Sequence, residues 1–150
     1  MTPLYRLLRR KHLTGALTGD GARQRGGRWN SKGTALVYLA GARSLSLLEL
    51  LVHVDPSEVP VDYVFLPVTA PDSVRIETLD LATLPADWRK TATLAEFGDR
   101  FVQDGRAALL AVPSVIVPQE TNYLLNPAHP QAALLQSAPV ETFEIDERLL

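Results

Sequence analysis

Apolar residues in this chain fall into short runs divided by glycine, proline and charge, the pattern of strands interrupted by a few helices. Leu4 to Leu8, apolar around Arg6, predicts a strand, and Ala35 to Ala40, closed by Gly41, predicts a buried one. Val61 to Val68 and Ser73 to Leu79 read as strands around an Ala70-Pro71-Asp72 turn. Ala107 to Val112 and Val115 to Val117 are apolar runs around Pro113-Ser114, and Val140 to Ile145 alternates like a last strand. Helical spacing occurs twice. From Ser44 to Val54, Leu45, Leu48 and Val52 are backed by Leu47, Leu50 and Leu51, so the helix is expected to be buried nearly all round and to stop at Asp55-Pro56. Leu94, Phe97, Phe101 and Val102 mark an amphipathic helix that Gly105 can close with a left-handed cap. Arg9 to Gly33 holds six glycines and little periodicity, which predicts a long basic loop of the kind that is functional or disordered.

With 150 residues and 46% hydrophobic content the chain is expected to form one domain, residues 1–150. A chain of this size buries roughly 68–70% of its unfolded surface, enough to fold without disulfide or metal. The absence of cysteine excludes disulfides, thiol nucleophiles and cysteine-based zinc sites together. Neither a signal-type apolar segment at the N-terminus nor a run of membrane-spanning length occurs, so a soluble, cytoplasmic protein without membrane attachment is expected. The net charge of −2 conceals an asymmetry: residues 1 to 43 carry nine basic residues against Asp20 alone, and the remainder carries six against 16 acidic ones. So basic a stretch calls for an anion, whether nucleic acid, a nucleotide pyrophosphate or the acidic remainder of the same chain.

Several common chemistries lack their motifs. Gly19-Asp20-Gly21 is not continued as a dinucleotide-binding or phosphate-loop pattern, Ser114 between Pro113 and Val115 is not a nucleophile elbow, and His12, His53 and His129 are scattered. Glu49 is the residue that stands out, the only charge between Leu45 and Val52. It needs a partner or a task. The plain alternative is a capping box in which Glu49 bonds back to the backbone at Ser46.

Gly26-Gly27-Arg28-Trp29-Asn30 offers close backbone approach, a guanidinium that can grip phosphate and an indole that can stack on a flat ring. The alternative is a turn whose arginine pairs with an acid. Tyr38 in its apolar run reads by itself as a core tyrosine, and Arg6 is a costly charge in a short strand. Ser114 can hydrogen-bond a ribose or amide, whereas Asn122, Asn126 and the nearby prolines read as loop-shaping and His129 as a structural loop histidine.

Taken in order, Tyr5-Arg6, Gly26-Gly27-Arg28-Trp29-Asn30, Val37-Tyr38-Leu39-Ala40, Leu48-Glu49 with Val52-His53, Val112-Pro113-Ser114, and Asn122-Tyr123-Leu124-Leu125-Asn126-Pro127 with His129-Pro130 resemble the RES-domain family. These are toxins of type II toxin–antitoxin pairs, named for an arginine, a glutamate and a serine. The resemblance implies an α+β fold like that of ADP-ribosyltransferases, a split mixed sheet with short helices around a cleft for NAD. It implies Arg28, Glu49 and Ser114 as the signature triad, with Arg6, Tyr38 and Trp29 also on the nucleotide. NAD would be consumed as substrate without a metal, either degraded or used to ADP-ribosylate a host protein. The implied partner is a cognate Xre-type helix-turn-helix antitoxin, through which alone DNA would be reached. Leu7 departs from relatives that carry an aromatic residue after the arginine. From the residues alone, the competing reading is a non-enzymatic nucleic-acid-binding module built on the basic N-terminal loop, with Trp29 as its exposed aromatic.

Overall fold

The apolar runs close into one mixed sheet in the computed structural model, which describes residues 1–150. In chain order the strands are β1 (Thr2–Arg9), β2 (Val37–Ala40), β3 (Tyr63–Ala70), β4 (Ile76–Thr78), β5 (Leu109–Pro113), β6 (Thr121–Leu125), β7 (Gln136–Ser137) and β8 (Glu141–Thr142). Their spatial order is β4-β5-β6-β2-β1-β3-β7, with β8 also on β3. Only β4 and β5 run parallel. β1 pairs with β3 from Thr2–Ala70 to Arg9–Tyr63, while β2, β6 and β5 form a second block. The blocks meet through one register pair, Tyr5 with Ala40, so the sheet is split between β1 and β2 as the resemblance implied.

Because side chains alternate along a strand, each sheet face gathers its own core. Leu4, Leu8, Val37, Leu39, Val64 and Leu66 pack on one face. Trp29, Leu36, Leu94, Phe101, Leu110 and Leu124 pack on the other. The helices are α1 (Asp20–Arg25), α2 (Arg43–Leu51) and α3 (Ala95–Asp104). The expected cap closes α3: Gly105 has φ 60° and donates its N–H to the Phe101 carbonyl.

Four sequence expectations change. The basic loop contains a 3-10 helix at Arg10–Gly15 and then α1, whose acidic Asp20 at the start and Arg23 and Arg25 at the end suit the helix dipole. α2 packs on β1 and β2 but buries only Leu45 and Ser46, leaving Leu48 and Val52 exposed, because apolar residues all round a helix cannot all face one sheet. Val115 to Val117 is not a strand: the Ser114 hydroxyl captures the N–H groups of Ile116 and Val117 in a local turn. The last strand shrinks to Glu141–Thr142, since β8 and β7 touch β3 on either side of Leu66-Pro67, where proline offers no N–H to a continuous ladder.

Candidate active site

No capping box forms around Glu49. The residue before α2 is Ala42, which makes no side-chain cap, and Ser46 Oγ donates instead to the Arg43 carbonyl at 2.7 Å. Glu49 reaches across to the β5 and β6 block. Its Oε1 accepts from Ser114 Oγ at 2.7 Å and from Asn122 Nδ2 at 2.7 Å. Oε2 has no donor within the protein and is not enclosed, so it is presented to the solvent side.

Ser114 is fully buried at the end of β5. Its hydroxyl accepts from the N–H groups of Ile116 at 3.1 Å and Val117 at 3.0 Å, which leaves its single proton for Glu49. A hydroxyl has one donor and two acceptor positions, so this one is saturated. These bonds leave the hydroxyl on the Glu49 carboxylate, with no donor or acceptor position directed elsewhere.

The Arg28 segment is held from beneath by Tyr38. The Tyr38 hydroxyl donates to Asn30 Oδ1 at 2.6 Å and accepts the Trp29 N–H at 3.0 Å. Burial is the main force that pushes this phenol up to about 12, so it stays protonated and keeps donating. Asn30, itself buried, donates to the carbonyls of Ala22, Ser31 and Thr34. A Cβ on Gly27 would stand 2.7 Å from the Tyr38 hydroxyl, which explains a glycine there. α3 adds a latch, with Asp99 accepting the Ser31 N–H at 2.9 Å. Burial raises the Asp99 carboxyl, but the bonds from Ser31 and Thr34 outweigh it and hold the group below the usual range.

Trp29 is corrected from ligand platform to core residue. It is 3% exposed, packed with Leu36, Leu94 and Phe101, because a large indole gains more from that burial than a surface turn offers. The nucleic-acid-binding reading loses its exposed aromatic with it. Arg28, next in the chain, is exposed, pairs with no carboxylate and lies close enough to Tyr38 for its charge to act on the phenol. The expected alternative of an arginine paired with an acid is not found.

Tyr38 is opposite Leu124 and Ala40 opposite Asn122, so Tyr38 and Asn122 share a sheet face as diagonal neighbours. The Arg28 segment and the Glu49 carboxylate are thereby anchored on one face of one three-stranded block. Arg6 is placed differently. It alternates with Tyr5, lies on the side of Leu4 and Leu8, and donates to the Ala16 carbonyl. Burial lowers its pKa and the neighbouring charge of Arg25 lowers it further. It makes no hydrogen bond to Glu49, Ser114 or Tyr38. His53 is exposed beyond the end of α2, and His129 caps the Pro130–Leu134 turn through Nδ1, as expected of a structural histidine.

Asn122, read from the sequence as loop-shaping, lies instead inside β6, and the signal that could have shown its role is an asparagine in an apolar strand, where that residue type is depleted. Sequence reasoning missed Asp99 and Gly98. A Cβ on Gly98 would stand 1.7 Å from the Trp29 carbonyl oxygen, so α3 and the Arg28 segment are in backbone contact.

Prs ADP-ribosylating toxin from Sphingobium sp. (strain YBL2) is 40% identical over 140 residues, covering 89% of this chain and 86% of the relative. Toxin Res from Photorhabdus laumondii subsp. laumondii is 40% identical over 152 residues, covering 98% and 96%. The Mycobacterium tuberculosis MbcT–MbcA toxin–antitoxin complex contains a chain that superposes with TM-score 0.72 at 18% identity, covering 98% of this chain and 85% of that one, which shows a shared fold. The RES domain matches residues 3–146, and with that span and those identities the chain belongs to the RES domain family.

Proposed function

We propose that this chain is the toxin of a toxin–antitoxin pair and cleaves NAD at the nicotinamide–ribose bond. The observation that carries the reading is the Glu49 carboxylate, pinned through Oε1 by Ser114 and Asn122 with Oε2 free, anchored on the same sheet face as the unpaired Arg28. The names of its relatives, an ADP-ribosylating toxin and Res toxins, agree with it.

In the reaction the C1′–N bond breaks, its electron pair leaves with nicotinamide, and the ribose passes through an oxocarbenium-like state of the kind met in glycoside hydrolysis. A fixed anion beside the ribose 2′-hydroxyl stabilises that positive charge, worth a few kcal/mol by analogy with other preorganised groups. Glu49 Oε2 takes this place. Arg28 holds the pyrophosphate or the adjacent ribose, Tyr38 packs toward the nicotinamide ring, and Ser114 holds Glu49. An acceptor oxygen then bonds to C1′ and releases its proton. Water gives hydrolysis, phosphate gives phosphorolysis, and a host protein gives ADP-ribosylation. No metal is used in this scheme. The neutralising partner is an Xre-type antitoxin that blocks the cleft and links the toxin to DNA. The similarity to a chain of a toxin–antitoxin complex supports a protein partner of this kind.

The test is nicotinamide release from NAD by purified native protein and by Glu49→Gln, each with and without phosphate or host lysate. Release by the native chain alone, lost in a folded Glu49→Gln, is the expected result, and dependence on phosphate or a labelled lysate protein identifies the acceptor. No release under any of these conditions overturns the reading.

A further inference from the structure

Asn122 is the one side chain here whose buried polar atom has no partner. Its Oδ1 is enclosed and unbonded, while Nδ2 of the same amide donates to Glu49 Oε1 at 2.7 Å. The strand register explains why nothing answers Oδ1. Asn122 lies between Ala40 on β2 and Val112 on β5, neither of which carries a side-chain donor. An orphaned acceptor costs stability, and an amide ordinarily turns over to relieve such a cost. This one is prevented from doing so. A half-turn would set Oδ1 against Glu49 Oε1, an acceptor against a carboxylate oxygen. The same Oε1 is already taken by Ser114, whose hydroxyl cannot reorient because two backbone N–H groups occupy its lone pairs.

We propose that Asn122 is a positioning residue for the Glu49 carboxylate, set on a central strand so that two donors from separate segments hold Oε1 and fix where Oε2 points. The inference rests on the reading of Glu49 as the group that faces the ribose. One donor fixes only a point of a carboxylate, whereas two donors of different direction fix its plane. β6 supplies the rigidity, being paired on both sides by β2 and β5. The unpaired Oδ1 is the consequence of this placement: the strand accepts a buried orphan so that the donor end of the amide meets Glu49.

Asn122→Asp tests this with minimal change of shape, since it replaces the donor by an acceptor. Three quantities are read for the native chain and each variant: thermal midpoint, NAD affinity, and turnover in nicotinamide release. The expected result for Asn122→Asp is NAD affinity as in the native chain with turnover lower by about 100-fold, the scale of a slightly misplaced reacting group. Asn122→Ala, which adds no repulsion, is expected to show the same split between affinity and turnover should Asn122→Asp not fold. Native turnover in a folded Asn122 variant overturns the proposal, as does a loss of NAD affinity equal to the loss of turnover. If the native chain itself releases no nicotinamide, the reading of the site fails and this proposal with it, an outcome distinct from a native-like Asn122 variant.

Discussion

A hydroxyl that accepts from two backbone N–H groups has one proton left to place, and Ser114 places it on Glu49. Ser114→Ala therefore does two separable things. The Ile116 and Val117 N–H groups lose their acceptor, which is expected to cost about 1–3 kcal/mol in thermal or denaturant unfolding. Glu49 loses one of its two donors, which is expected to lower nicotinamide release while NAD affinity stays as in the native chain. A Ser114→Ala protein that binds NAD more weakly in proportion to its lost turnover would instead place the hydroxyl on the ligand. At this scale the sequence exposed Glu49, because a lone carboxylate among leucines is anomalous whatever the fold. It did not expose what Glu49 touches, since Ser114 is 65 residues away and Asn122 73. Trp29 was misread for the opposite reason: its neighbours Gly26, Gly27 and Arg28 have the chemistry of a ligand loop, but only the three-dimensional position of α3 decides that the indole is covered.

The Arg28 segment behaves as an element although it has almost no regular structure. Its own bond from the Gly27 N–H to the Asn30 carbonyl is supplemented by Tyr38 from below and by α3 from the side. Gly98 lies in that contact, and a Cβ there would meet the Trp29 carbonyl, which is backbone and cannot swing away. Gly98→Ala is expected to destabilise the fold by about 1–3 kcal/mol, the usual penalty of overpacking, and to weaken NAD binding by shifting Arg28. Gly15→Ala, where an added Cβ would stand 3.5 Å from Thr18 Oγ1 in ordinary contact, is the matched control and is expected to leave NAD binding unchanged. Unchanged NAD affinity in a destabilised Gly98→Ala would show that α3 does not position Arg28. The elements that were legible are those whose sequence pattern and burial coincide, such as β3 and the amphipathic α3 closed by Gly105. α1 was not, being six residues within a glycine-rich run. α2 was legible as a helix but not as a half-exposed one, because periodicity says which positions are apolar and the sheet decides which are covered.

Across the whole molecule, the basic N-terminal third and the acidic remainder meet in only part of their charge. Arg9 pairs with Asp62 at 2.9 Å and Arg43 with Glu141 at 2.8 Å, while Arg6, Arg10, Lys11, Arg25, Arg28 and Lys32 find no carboxylate. The asymmetry was readable from composition, but its resolution was not, because the Arg43 and Glu141 partners are 98 residues apart. The unpaired cations raise the local concentration of anions by their summed field, an effect that salt screens over about 8–10 Å. A guanidinium in contact with pyrophosphate adds a term that salt weakens far less. Arg28→Ala and Arg10→Ala each remove one unpaired positive charge and separate the two contributions when NAD affinity is measured at low and high ionic strength. Arg28→Ala is expected to weaken binding by about 10- to 100-fold, the worth of a charge-assisted hydrogen bond, and to keep most of that loss at high salt. Arg10→Ala is expected to weaken it slightly at low salt and not at high salt. Equal losses in the two variants, both erased by salt, would mean that Arg28 contributes only its share of the field, and the grip on the pyrophosphate would have to be assigned elsewhere.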